Sequence, residues 1–288
     1  MATAKAADAP GLLDVAAVAA GWYFGANRSG KPAYNPATGT AIDGIETDGR
    51  VNPNSGAEST IHTLLSMLAL DANPELKAKA LGISTTVGTD GLKVAEAESG
   101  TITGGAVVKP ASAWTGEANW SGGAYVALNA GGTVKIPVPA SDQARNAYPI
   151  VNQRPEAAGT TSWSSGSTFL GSTPDGGAGE QGITAAPGKL FPFSLDRALP
   201  AGADSVVAKA GSDVSIDGVL LQPQISSVSV SGSGGTSTLY ISAATGSIDR
   251  KVDMPQGFHL NQQAFDASGQ PIKQARTRTG QTSPAESP

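Results

Sequence analysis

Residues 215–221 read Ser-Ile-Asp-Gly-Val-Leu-Leu, a short β-branched and aliphatic run that predicts a buried strand. Comparable runs precede it at residues 125–128, 133–138, 148–152 and 205–208, and Gly, Pro, Asn and Ser separate them. Many short strands divided by turn residues are typical of an all-β sandwich. The sequence therefore predicts a mainly β fold whose largest part is a β-sandwich.

The composition excludes several classes of protein. The chain has 288 residues, 15% of them charged, and a formal net charge of −5, without a basic cluster that could neutralise a row of phosphates. We therefore expect no nucleic-acid partner. No apolar run approaches the roughly 20 residues that span a membrane. The absence of cysteine excludes disulfides and thiolate sites, and two histidines leave oxygen atoms as the available metal ligands.

Helical patterns occur only near the amino end. One helix is predicted between Asp8, a candidate N-cap, and Gly25. A second begins at Ser55-Gly-Ala-Glu58, which fits a capping box, and continues as a leucine-rich pattern up to Pro74. Two apolar helices cannot bury each other's faces fully, so we expect this region to pack on further helices or on a neighbouring domain.

The chain divides into five predicted parts. A Gly-rich stretch without periodicity precedes the sandwich, and a Gly-Ser-Gly-Gly turn at residues 232–235 indicates a hairpin after it. The parts are a helical segment (1–81), a linker (82–92), the β-sandwich (93–223), a small β region (224–270) and a polar, disordered tail (271–288).

The helical segment resembles the end of a bacterial α/α-toroid glycosidase-like domain. The motifs are Asn-Pro-Asn-Ser-Gly-Ala-Glu-Ser-Thr at residues 52–60, with the leucine run after it, and Trp-Tyr-Phe-Gly-Ala-Asn at residues 22–27. The resemblance implies a helical-hairpin remnant, the last two helices of a barrel that needs about a dozen. In a toroid such helix starts face the central cleft.

Three residues near this helix start are candidates for acid/base catalysis. Glu58 and His62 are four residues apart on one helix face, and Asp48 lies in the preceding loop. The alternative is that Glu58 caps the helix and that His62 packs on it.

The sandwich resembles carbohydrate-binding modules of families 6 and 35. It carries Ala-Glu-Ala-Glu at residues 95–98, Ser-Gly-Gly-Ala-Tyr-Val at residues 121–126 and Ile-Asp-Gly-Val-Leu at residues 216–220, in the order that those modules have. The resemblance implies a jelly-roll module that binds polysaccharide or oligosaccharide.

Carboxylates at the first and last strands predict a structural calcium site. Glu96 and Glu98 are two residues apart, so on a strand they project to the same face and repel each other. A hard cation with six to eight oxygen ligands would relieve that repulsion. The resemblance places Asp217 on an adjacent strand as a third ligand. The alternative is that both glutamates lie on a solvated face.

Aromatic and amide side chains are the candidates for sugar binding. Trp114, Trp120 and Trp163 lie in Gly-, Ser- and Asn-rich stretches, and exposed aromatic faces stack on the apolar faces of sugar rings. Asn119 and Asn152 could bind hydroxyl groups. The alternative for each tryptophan is that it fills one end of the sandwich core.

These features predict a non-catalytic carbohydrate-binding part of a larger secreted glycoside hydrolase. One alternative is a glycosidase, or a glycosidase subunit, whose toroid active site is completed by another chain. A second alternative is a structural adhesion module that binds protein.

Overall fold

The computed structural model describes residues 1–46, 48–115, 118–155, 158–177, 188–246, 248 and 262–272. The described chain forms two compact units. The first contains residues 1–89 and 228–239 together with 262–272, and the second contains residues 90–227 and the segment that begins at 240. The second unit is built from antiparallel strands, and the helices lie in the first. The predicted fold class, mainly β with a helical amino end, is confirmed.

Four α-helices form most of the first unit: α1 (Ala2–Ala6), α2 (Gly11–Gly21), α3 (Ala57–Asp71) and α4 (Pro74–Leu81). They share a small core that contains Ala17, Leu70, Leu76 and Ala80. A 3-10 turn extends α2 and ends at Gly25, whose φ of 117° stops the helix as predicted. None of the helices in the described ranges is long and apolar enough to cross a bilayer.

The amino end of α3 differs from the predicted capping box. Gly56 is the N-cap, and its N–H donates to Asp43 Oδ1 at 2.6 Å. Because the helix begins one residue later than the box requires, Glu58 occupies the second helical position and cannot close the box from the third. The charged acceptor that Asp43 provides from the preceding loop replaces the predicted cap.

Sixteen strands follow one another within the described residues: β1 (Tyr34–Asn35), β2 (Thr40–Ala41), β3 (Gly44–Ile45), β4 (Val51–Asn52), β5 (Thr85–Asp90), β6 (Lys93–Glu96), β7 (Thr101–Val108), β8 (Tyr125–Pro137), β9 (Arg145–Gln153), β10 (Thr160–Ser165), β11 (Thr168–Pro174), β12 (Lys189–Pro192), β13 (Ser205–Ala210), β14 (Val214–Pro223), β15 (Ile225–Gly232) and β16 (Gly235–Ser242). Two antiparallel ladders, β1 with β2 and β3 with β4, lie in the long loop between α2 and α3.

The second unit is a nine-stranded antiparallel sheet that curls on itself. Its strand order is β11-β10-β13-β8-β14-β9-β12, with β6 on β14 and β7 on β8. Residues 126–128 of β8 pair with β14, whereas residues 133–137 pair with β13. Gly131, with a φ of 80°, lies between these two pairings. Because β8 changes partners at this point, the two halves of the sheet face each other as a sandwich.

The sandwich encloses the main hydrophobic core. The runs that predicted strands supply much of it, since alternate residues of each strand point inward. Its largest fully buried side chains are Trp163, Leu128, Ile136, Leu170, Leu199, Ile216 and Leu221. Strands β7, β10 and β11 were not predicted, because Ser, Thr and Gly make up half or more of each. Strand β12 was not predicted either, since its four residues are too few to show an alternating pattern.

The predicted linker and the predicted carboxyl-terminal β region meet in a three-stranded sheet. The hairpin of β15 and β16 forms around the predicted turn, and β5, inside residues 82–92, adds to it in the order β16-β15-β5. The Ser84 N–H donates to the Ser231 carbonyl at 3.0 Å. Pairing with a distant strand orders a segment that has no hydrophobic period of its own. The tail beyond residue 272 lies outside the described residues.

Candidate functional site

Three carboxylates meet at one end of the ladder between β6 and β14. Glu96 ends β6, Glu98 lies in the 3-10 turn Ala97–Ser99, and Asp217 lies on β14. Gly218 is paired with Glu96, which brings the neighbouring Asp217 to the same end of the ladder. Glu98 thus reaches the cluster through the turn after the strand, and not through the two-residue strand period that we used to predict it.

The turn at residues 121–123 closes the cluster from the opposite side. The Ser121 N–H donates to Asp217 Oδ1 at 2.9 Å, and Ser121 Oγ donates to Glu96 Oε1 at 2.6 Å. Gly122 has a φ of 62°, and a Cβ built on it would lie 2.8 Å from Glu98 Oε1 and 4.0 Å from Glu96 Oε1. The positive φ favours glycine at this position, and any larger side chain would displace the Glu98 carboxylate. The sequence analysis quoted this segment but did not assign it to the site.

Two oxygen atoms of the cluster are buried without a partner. Glu96 Oε2 and Glu98 Oε2 have no hydrogen-bond donor, although both are shielded from solvent. A buried carboxylate oxygen without a donor costs free energy, so native proteins rarely keep one unless something else compensates it. The cluster is therefore short of positive charge or of hydrogen-bond donors.

The raised pKa values in the cluster also indicate that positive charge or hydrogen-bond donors are lacking. The pKa of Asp217 is raised to about 7, chiefly by burial; the Ser121 N–H opposes the shift, and the charges of Glu96 and Glu98 contribute to it. Burial also raises the pKa of Glu98, with a smaller contribution from Glu96. Like charges close together in a desolvated site favour the protonated form. A bound cation would reverse this preference.

The donor set suits a hard cation. No three acidic or histidine side chains within the described ranges are close enough to form a complete metal site by themselves. Ca²⁺, however, takes six to eight oxygen ligands and accepts backbone carbonyls and water beside carboxylates. Glu96 and Glu98, through their unpartnered oxygens, and Asp217 are the residues that would hold a calcium ion.

A second feature, a loop that presents Trp114, joins the cluster at Ser121. Trp114 forms an antiparallel bridge with Asn119, the Thr115 N–H donates to the Ala118 carbonyl, and the Trp120 N–H donates to the Ala113 carbonyl. The loop is therefore closed at its base. Trp114 is 55% exposed and Asn119 is also exposed.

The other predicted sugar-binding residues are buried. Trp163 lies on β10 in the core, where its Nε1–H donates to Thr173 Oγ1 at 3.0 Å. Trp120 is 6% exposed and stacks on Tyr125 with ring centroids 4.1 Å apart. Asn152 is buried in β9, where its backbone pairs with neighbouring strands. Trp163 and Trp120 therefore pack in the interior, as the alternative for each tryptophan proposed, and Asn152 is buried by the pairing of β9.

The candidate acid/base residues of the helical segment do not form an enclosed site. Glu58 and His62 lie one turn apart on the exposed side of α3. Asp48 is exposed and pairs with Arg50 at 2.7 Å, and this hydrogen bond lowers the pKa of Asp48. The toroid remnant and its catalytic role stay a prediction.

Comparisons with known proteins give matches at the level of solved structures, whereas no family model and no curated protein matches the chain. An exo-β-1,3-galactanase from Phanerochaete chrysosporium, solved with β-1,3-galactotriose, is similar to this chain at 17% identity with a TM-score of 0.34. The match covers 46% of this chain and 29% of the galactanase.

Two carbohydrate-binding modules of family 6 are matched over nearly their whole length. The C-terminal module of LamC, a laminarinase from Zobellia galactanivorans, shows 17% identity and a TM-score of 0.33 over 46% of this chain and 98% of the module. A module of lichenase 5A from Cellvibrio mixtus, in complex with cellotriose, shows 15% identity and a TM-score of 0.32 over 45% of this chain and 95% of the module.

Proposed function

We propose that this protein is the non-catalytic, polysaccharide-binding part of a larger secreted glycoside hydrolase. The sandwich binds a poly- or oligosaccharide through the loop that carries Trp114 and Asn119, and a structural calcium ion held by Glu96, Glu98 and Asp217 supports that loop. Secretion and the link to a hydrolase rest on the sequence motifs. The binding surface rests on the geometry.

The exposed ring of Trp114 is the observation that supports sugar binding. An indole with 55% of its surface in water offers a flat apolar face on which a sugar ring can stack. The bridge to Asn119 fixes the backbone that carries the ring before any ligand arrives, which reduces the entropy that the loop loses on binding. An amide beside an aromatic face can hydrogen-bond a hydroxyl while the ring stacks on the sugar.

Calcium and sugar binding are linked through the base of this loop. Trp120 anchors the loop in the sandwich, and the next residue, Ser121, donates to both Glu96 and Asp217. Without a cation, repulsion within the cluster acts directly on these two hydrogen bonds. Calcium would supply the missing positive charge and so hold the loop in its binding conformation.

A glycan array followed by titration of the best ligand tests the proposal. We expect Trp114→Ala to lower the affinity at least about fivefold, because stacking of a planar base on an aromatic side chain, which we take as the guide for a sugar ring, contributes roughly 1 to 3 kcal/mol. Phe169→Ala is the matched control, since Phe169 is 51% exposed on β11 of the same unit. Equal losses in the two variants, or no binding to any glycan by the calcium-loaded protein, would contradict the proposal. The second result would favour an adhesion module.

A further inference from the structure

A short segment near the carboxyl end of the chain packs on the connection between α1 and α2. Residues 264–272, called the strap below, form a small hairpin in which the Ile272 N–H donates to the Ala264 carbonyl at 2.9 Å. Asp266 closes its turn, because Asp266 Oδ1 accepts two backbone N–H groups of the strap, both at 2.9 Å. The strap is therefore held in shape by its own contacts.

The start of α2 takes a hydrogen-bond acceptor from the strap. Residues 7–10, called the elbow below, end at the N-cap Pro10, whose side chain has no hydrogen-bonding group. The second and third N–H groups of α2 donate to carbonyls within the elbow, but the first, that of Gly11, donates to the Gly269 carbonyl at 3.0 Å. The strap thus supplies an acceptor that the local sequence lacks.

Two glycines allow the strap and the elbow to approach closely. A Cβ built on Gly11 would lie 2.7 Å from Phe265 Cγ, so the ring occupies the space that a side chain would take. A Cβ built on Gly269 would lie 2.6 Å from the Cβ of Ala9, which is 3% exposed. A larger residue at either position would separate the strap from the elbow.

Helix α1 depends on the elbow for its position. It has five residues, fewer than a helix needs to persist alone in water. Its Ala4 is buried, and the Ala4 carbonyl accepts the Ala9 N–H at 2.8 Å. Asp8, the predicted N-cap of α2, instead has a φ of 48°, and its carbonyl accepts a hydrogen bond from Gln270 Nε2. Such a backbone conformation persists where its surroundings hold it.

We propose that the strap is a closing element of the first unit. In the closed state it holds the elbow and keeps α1 packed, and when it opens α1 is released with it while α3 and α4 stay folded. A segment with few buried apolar contacts opens more readily than a packed core. A protease or a partner that acts on α1, or on the buried Ala4 and Ala9, therefore acts on the open state.

Hydrogen exchange of the full chain, resolved by residue, tests the strap. Gly269→Ala should open it, because the new Cβ meets Ala9 and a φ of 75° disfavours alanine. We expect the amides of the strap, the elbow and α1 to exchange at least about fivefold faster, and those of α3 and α4 to keep their rates. Gly39→Ala is the matched control, since Gly39 has a φ of 72° in the same unit and open space around its Cβ within the described ranges.

Four results would overturn the proposal. They are faster exchange in the strap alone, an equal increase throughout the first unit, the same increase in α1 for Gly39→Ala, and strap amides that are already unprotected in the natural protein.

Gly11→Ala gives a second test, in which the strap reverses the expected sign. Alanine favours a helix more than glycine does, so without the strap this substitution should slow exchange at the start of α2. With the strap closed, the added Cβ displaces the Phe265 ring, and exchange in the elbow and α1 should accelerate. In a Phe265→Ala background Gly11→Ala should no longer accelerate it. Slower exchange in the single variant, or equal effects in the two backgrounds, would contradict the proposal.

Discussion

The calcium-free protein should lose stability as the pH rises, because of Asp217. Its pKa is about 7 in the folded state, mainly through burial, against about 3.9 in an unfolded chain. The folded state therefore binds this proton more tightly than the unfolded state does. The stabilisation is complete below pH 4 and is lost as the pH rises through 7. At about 1.4 kcal/mol per pKa unit, the total loss is roughly 4 kcal/mol.

The variant Asp217→Asn isolates this effect. Asparagine keeps an oxygen that accepts the Ser121 N–H but carries no charge at any pH. In excess chelator, the stability of the variant relative to the natural protein should increase by about 3 kcal/mol between pH 4.5 and 8.5, the part of the shift that lies in this window. Urea unfolding followed by tryptophan fluorescence measures both proteins.

Asp213→Asn is the control for the substitution itself. Asp213 also accepts a backbone N–H, from Ala130 at 2.9 Å, but it is exposed and lies outside the cluster. We expect its stability relative to the natural protein to change little with pH. The reasoning is refuted if the difference between Asp217→Asn and the natural protein is independent of pH, or if the natural protein gains on the variant as the pH rises.

Three further predictions concern the same unit. Chelation should lower the Tm of the natural protein, because a cation at a hundredfold excess over its Kd stabilises the folded state by about 2.7 kcal/mol. Glu98→Gln should abolish this sensitivity to chelator, whereas an unchanged melting curve of the natural protein with no metal in elemental analysis would exclude the ion. Gly122→Ala should weaken calcium stabilisation, because its Cβ would meet Glu98, whereas Gly123→Ala, with φ 75° and open space around it, should show backbone strain alone. Trp163→Ala should destabilise the sandwich by about 3 to 5 kcal/mol in urea unfolding, and Trp114→Ala should leave that stability nearly unchanged.

Strand periodicity predicted the sandwich well because its inward residues are aliphatic. Strand β13 buries Val206 and two alternate alanines, and β14 is buried along most of its length with Val, Ile and Leu side chains, so an apolar run survives in the sequence. Strands β10 and β11 are mostly Ser, Thr and Gly, and their strand identity depends on Trp163 and Leu170, which face the core. The alternation of Thr161 and Trp163 could have indicated β10, but the Gly and Ser residues around it are equally typical of loops.

The acidic residues of the candidate site were predicted from the sequence, but the residues of the turn that contacts them were not. Glu96 and Glu98 were predicted from their spacing and Asp217 from the family resemblance, and the structure brings the three together. The roles of Ser121 and Gly122 depend on a turn that approaches the cluster from elsewhere in the sandwich. The local sequence around residues 121–123 does not indicate that this turn contacts carboxylates from other strands.

By itself the sequence determined the mainly β class, the two long helices at the amino end and the exclusion of cysteine chemistry, because these depend on residue type and short-range period. Only the tertiary structure decided which tryptophan remains in water, that Gly56 and Asp43 begin α3, that residues 85–90 form a strand, and that the leucine face of α3 points outward. The physical reason is that burial and strand pairing join residues far apart in the chain. The free energy of such contacts exceeds any local preference, and it depends on neighbours that no local window contains.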